Sequence, residues 1–100
     1  MNLLKNLKDI RKNAITPTEN EIKFMFEAIY SMLEIQAESG YAHMVLDDSI
    51  IVECVGFNVR ESSFENTKQE CLNRLAEEGL NIIFRRNNNI FEIKWDEVSI

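Results

Sequence analysis

The residues of this 100-residue chain best suited to chemistry are few and scattered. His43 is the sole histidine. Strand alternation puts it on the side of Tyr41 and Val45, and a general base needs an oriented partner that the sequence does not supply. Cys54 and Cys71 are far apart and lack a companion histidine pair, so neither a disulfide framework nor a zinc site is implied, and both read as buried thiols. Asp47, Asp48 and Glu53 could offer oxygen ligands to a hard cation. The calcium-loop spacing and its glycine are missing, however, and a turn accounts for the two aspartates more simply. Three scattered glycines exclude a phosphate-cradling loop. The expectation is a chain with no catalytic residue, no cofactor and no metal.

A nucleic-acid surface is conceivable at Arg85-Arg86, which adjoin Asn87-Asn88-Asn89 and lie near Phe84, Phe91 and Trp95 in the sequence. Such a set could stack bases and pair phosphates. Aromatic residues in a hairpin usually face a core, and the charge opposes this reading. Lys5, Lys8, Arg11 and Lys12 against Asp9 give residues 1–15 a net +3, which leaves −9 of the total −6 to the remainder. An acidic body repels nucleic acid and anionic lipid at long range.

The elements that must carry these residues follow from periodicity. With 45% hydrophobic and 28% charged residues the chain has enough large apolar side chains to fold around a core without a metal or disulfide. Leu3, Leu7, Ile10 and Ala14 recur at intervals of four and three, which predicts a short amphipathic helix over residues 1–14. Alone in water so short a helix is marginal, so it must dock on its own domain or on a neighbour. No continuous apolar stretch long enough for a secretory leader or a membrane span is present, and the chain is expected to be cytoplasmic. A membrane-surface role for the first helix is disfavoured, because its apolar face is narrow and lacks an aromatic anchor.

Thr16-Pro17-Thr18-Glu19 predicts a second helix, with Thr16 as cap, Pro17 first and Glu19 closing a capping box. It should run to about Glu38 and stop at Gly40. Ile22, Met25, Phe26, Ile29, Met32 and Leu33 cover one face. Phe24, Ala28, Ser31 and Ile35 form a second stripe on roughly the opposite side, where a surface helix would carry polar groups. Either the first helix folds back over it as an αα-hairpin, or another chain covers it.

Tyr41–Leu46 and Ile50–Val59 read as a hairpin turning at Asp47-Asp48-Ser49, with Gly56 marking a bulge or a close backbone approach, or else a partly irregular second run. Ser62, followed by Glu65, caps a third helix carrying Phe64, Cys71, Leu72 and Leu75 and ending before Gly79. Asn81–Arg86 and Ile90–Trp95 form a second hairpin around the asparagine triple. The expected fold is therefore α+β. A small, mainly antiparallel sheet of about four strands packs against helices in the order α-α-β-β-α-β-β, as a single domain over residues 1–100.

The succession of helix, Ser39-Gly40-Tyr41 into a strand, helix, Glu77-Glu78-Gly79-Leu80 into a strand, and a hairpin closing on Ile93-Lys94-Trp95 resembles small α+β proteins of tailed bacteriophages. The likeness covers residues 20–95, and the strand expected at Ile50–Val59 departs from it. It implies an accessory or virion component and no catalytic residue. Together with the apolar surplus it leads to a non-enzymatic protein–protein interaction module. Such a module self-associates or docks in an assembly through Leu3, Leu7, Ile10, Phe24, Ala28 and Ile35. The alternative is an acidic inhibitor of a host nucleic-acid enzyme or defence system acting by phosphate mimicry, with Glu27, Glu34, Glu38, Glu61, Glu65, Glu70, Glu77 and Glu78 as its anionic surface. A protein partner is expected in the first case, and neither a membrane nor nucleic acid.

Overall fold

The computed structural model describes residues 2–85 and 89–95. Helix α1 spans Leu3–Ile15 and α2 Glu19–Glu38; strand β1 covers His43–Asp47; α3 covers Asp48–Val55 and α4 Phe64–Glu77; β2 and β3 cover Asn81–Phe84 and Ile90–Lys94. Two single 3-10 turns, Gly56–Asn58 and Glu61–Ser63, join α3 to α4. The strands form one antiparallel sheet in the order β1-β3-β2, so the last strand lies between the two edges.

Alternation along the strands sends Met44, Leu46, Ile82, Phe91 and Ile93 toward the helices, with Leu46 and Phe84 both opposite Phe91. The core is closed by Met25 and Ile29 of α2, Ile51 and Val55 of α3, and Cys71, Leu72 and Leu75 of α4. Helix α2 touches both α3 and α4 and crosses the sheet at β1. The expected ends of α2 and α4 hold. After α2, Gly40 takes φ +92° and donates to Ala37 O while Tyr41 N donates to Gln36 O, which satisfies two of the helix's orphan carbonyls. The last turn of α4 closes by the same pair of bonds before Gly79 and Leu80.

Among the described residues the sheet has three strands, not about four, because Ile50–Val59 is not a strand. The Asp47 carboxylate accepts from Ile50 N at 3.0 Å and from the Ser49 hydroxyl, which makes it the cap of α3 and not part of a hairpin turn. Ile51 and Val55, four residues apart, are buried, whereas Ile50, Val52, Glu53 and Cys54 are exposed. That is helical periodicity, and packing against α2 overrides the β propensity of the branched residues. Gly56 ends this helix at φ +54°, ψ −132°, a conformation that side-chain-bearing residues avoid, and forms no bulge.

Two caps also differ from expectation. Thr18, not Thr16, caps α2, and its box partner is Glu21, whose carboxylate has further ligands described below. Ser62 does not cap α4, since a 3-10 turn precedes that helix and the Ser62 hydroxyl is used elsewhere. Of the two cysteines, Cys71 is buried but Cys54 is exposed, its Sγ 3.9 Å from Met32 Sδ. The turn expected at Asn87-Asn88-Asn89 lies largely outside the described residues, as does Arg86.

Lys68 interrupts the apolar stripe of α4 and is nevertheless 2% exposed. Its ammonium lies 2.9 Å from Asp48 Oδ1 and 3.2 Å from Glu65 Oε2, and 5.9 Å from the centre of the Phe64 ring. The pairing makes its burial tolerable and ties the first turn of α3 to α4.

Candidate interaction surface

Helix α1 does not fold back into an αα-hairpin, and none of its residues is buried. Among the described residues it is rooted at its carboxyl end alone. A helix leaves its last carbonyls without internal partners, and here the body supplies them. Arg60 Nη1 donates to Asn13 O at 3.1 Å and Arg60 Nη2 to Thr16 O at 2.7 Å. Ser62 Oγ donates to Ala14 O at 2.7 Å, and Asn66 Nδ2 to Ile15 O at 2.9 Å. The guanidinium also sits at the negative end of the helix dipole.

Arg60 is itself held by Glu21. The carboxylate accepts from Arg60 Nε, Arg60 Nη2 and the Arg60 backbone N–H, from Ser63 Oγ, and from Thr18 N in the capping box. The Arg60 side chain above all, with help from these N–H and O–H donors, holds the Glu21 carboxyl well below the usual carboxylate range against the opposing effect of burial. None of Arg60, Ser62, Ser63 or Asn66 was singled out from sequence for this task. Their partners lie dozens of positions away, and no local pattern marks them.

With its carboxyl end fixed, α1 carries an uncovered apolar stripe. Leu3, Leu7 and Ile10 are between 62% and 64% exposed. Leu4, which the four-and-three spacing passed over, is equally exposed and widens the stripe. The radius of gyration, 15.9 Å, exceeds the ~13 Å of a compact chain this long, as a projecting helix requires.

The second stripe also remains open. Phe24 is 39% exposed and Ile35 62%, while Ala28 is half-buried and packs against the core. Thus α1 and the outer face of α2 are separate apolar surfaces, and neither covers the other. Their charged borders are opposite. Arg11 borders the stripe of α1 while Lys5, Lys8 and Lys12 turn away from it, and Glu27, Glu34 and Glu38 border that of α2. Among the described residues no ion pair engages any of these seven.

The other candidate residues do not converge. His43 is exposed at the start of an edge strand with Tyr41 edge-on to it. Asp47 caps α3, Asp48 pairs with Lys68, and Glu53 points away in the exposed part of α3. Among the described residues no group of three or more His, Cys, Asp or Glu could hold a metal ion. Phe91 is buried and Trp95 packs against the core, so those aromatics are not laid out on the sheet surface.

The carboxylates are spread over α2, the 3-10 turn at Glu61 and α4, where Glu65 pairs with Lys68 and Glu70 with Arg74. A groove of about 590 Å³ between α2 and α4 is lined by Glu19, Glu27, Glu77 and Glu78, and also by Lys23 and Arg74. Among the described residues no helix is long and apolar enough to cross a membrane. Comparison with known proteins finds no matching family model, curated protein or solved structure, so the likeness to phage proteins rests on the sequence pattern alone.

Proposed function

We propose that the chain is a non-enzymatic protein–protein interaction module that self-associates or docks in an assembly through α1 and the outer stripe of α2. The observation that carries this reading is the exposure of Leu3, Leu4, Leu7 and Ile10 on a helix that, among the described residues, is bonded to its body at one end. Apolar surface of this kind is stabilised by burial against a partner. Helical structure in so short a segment also gains from such contact.

Light scattering tests the reading. The wild type is expected above the 11.7 kDa of one chain, or in a stoichiometric complex from its source cells, and Leu7→Asp and Ile35→Asp are expected to abolish that association while leaving the circular dichroism of the body in place. A wild type that runs as a single chain and takes up no partner overturns it.

The second reading, an acidic phosphate mimic, draws on the carboxylates of the groove between α2 and α4. The cations Lys23 and Arg74 interrupt that surface, which is why association through the apolar stripes ranks first.

A further inference from the structure

Strand β2 is an edge of the sheet, and its outer side has no neighbouring strand among the described residues. Arg85 N donates to Ile90 O, so by antiparallel alternation Ile83 and Asn81 bond to β3 as well, opposite Glu92 and Lys94. The N–H and C=O groups of Ile82 and Phe84 then point away from β3, and among the described residues they meet no hydrogen-bond partner. The other edge differs, since β1 has α3 packed beside it.

Helix α4 turns this open edge into a groove. Its side toward α2 is taken by Cys71, whose Sγ lies 3.4 Å from Ile22 O, and by Arg74, which pairs with Glu19. At about 100° per residue, Gln69, Asn73 and Ala76 fall on roughly the opposite side, and all three are exposed. With Leu72 they form one wall of a groove of about 270 Å³, and Ile82 and Phe84 form the other. Every residue lining it is uncharged, in a chain with 28% charged residues. The polar side chains of the helical wall, Gln69 and Asn73, bond each other at 2.9 Å.

These features define the occupant. Free N–H and C=O groups on alternate residues match the backbone of an extended strand. The uncharged lining matches a segment without charge over the residues that lie in it, because a charged side chain would lose hydration there and gain no partner. A second copy of β2 does not fit. Paired strands lie about 4.8 Å apart, whereas packed helices need about 8–10 Å. Because α4 stands over β2, two copies joined edge to edge in the antiparallel way would drive their α4 helices into one another. A strand that carries no helix of its own has room beside α4.

We propose that this groove binds an extended peptide segment of a partner protein, added to the sheet along β2. Apolar side chains at alternate positions of the segment pack on Leu72, Ala76 and Phe84. The surface is separate from α1 and the outer stripe of α2, so the proposal does not depend on the association described above.

Selection from a displayed library of short random peptides, followed by NMR titration of the enriched peptides into the isotope-labelled chain, tests this. The enriched peptides are expected to be uncharged and apolar at alternate positions. Their binding is expected to slow amide exchange at Ile82 and Phe84 and to shift the resonances of Leu72, Asn73 and Ala76. Methylating the peptide's backbone nitrogens one at a time should weaken binding roughly three- to tenfold at every second residue, where an N–H faces β2, and leave the residues between unaffected. Ala76→Lys fills the groove from an exposed helix position and should weaken binding by about tenfold or more, whereas Leu7→Asp on α1 should change nothing. An unenriched library overturns the proposal. So does peptide binding that shows no alternation on N-methylation or that moves resonances elsewhere. Protection of Ile82 and Phe84 that grows with the concentration of the chain alone assigns the edge to a second copy and overturns it too. None of these results bears on association through α1 and α2, which the Leu7→Asp variant reads separately.

Discussion

Glu21 and Arg60 stand 39 positions apart in the chain, yet their side chains meet at 2.9 Å, and the same guanidinium bonds the last carbonyls of α1. One ion pair thereby joins the start of α2, the turn before α4 and the root of α1. Glu21 is buried and Arg60 is not, so the pair matters chiefly through the five hydrogen bonds that converge on the carboxylate.

Glu21→Gln is expected to lower stability at neutral pH by about 1.5–3 kcal/mol, the range for hydrogen bonds to a charged group. Because the folded carboxyl titrates well below an unfolded glutamate, near 4.3, its contribution is complete above that value and is lost as pH falls toward the folded pKa. Urea unfolding at pH 7 and pH 3 checks both points. The gap between wild type and variant should shrink on acidification, and a gap that grows would refute the assignment.

Ser62→Ala combined with Asn66→Ala removes two donors to the α1 carbonyls and spares the Glu21–Arg60 pair. Amide exchange measured by NMR is expected to accelerate in residues 3–15 and to stay unchanged in α2 and α4. Equal acceleration everywhere would mean that these bonds stabilise the body and do not anchor a separable arm.

Gly56→Ala places a Cβ on a residue at φ +54°, ψ −132°, with open space around it, so the cost is backbone strain alone. A loss of about 1–3 kcal/mol is expected. A neutral substitution would show that α3 does not end in this conformation.

Cys54 and Cys71 should differ in reactivity. Cys54 is exposed, whereas burial pushes the Cys71 thiol up to about 12. Titration of native protein with a thiol reagent at pH 8 is expected to modify Cys54 rapidly and Cys71 only on unfolding. Rapid modification of both would contradict the packing of Cys71 beneath α2.

Lys68→Ala removes the cation that Asp48 and Glu65 share and empties part of the α4 stripe. A loss of about 2–4 kcal/mol is expected from thermal or urea unfolding, below the full cost of breaking a buried pair because Asp48 retains some solvent. Lys68→Met, which keeps the volume, should recover part of that loss.

Local chemistry alone was enough for α1, α2, the terminal hairpin and the helix stops at Gly40 and Gly79. Each is set by side-chain period or by a glycine that frees the backbone, and both act over a few residues. The apolar stripes at Leu3, Leu7, Ile10 and at Phe24, Ile35 were legible for the same reason.

Ile50–Val59 went the other way. Its residues favour a strand, and packing against α2, with Asp47 as its cap, makes a helix the lower-energy choice. The burial of Lys68, the choice of Thr18 over Thr16 and the rooting of α1 by Arg60, Ser62 and Asn66 also belong to the tertiary structure. Each depends on a partner far along the chain, and a carbonyl or carboxylate accepts whichever donor the fold brings within about 3 Å.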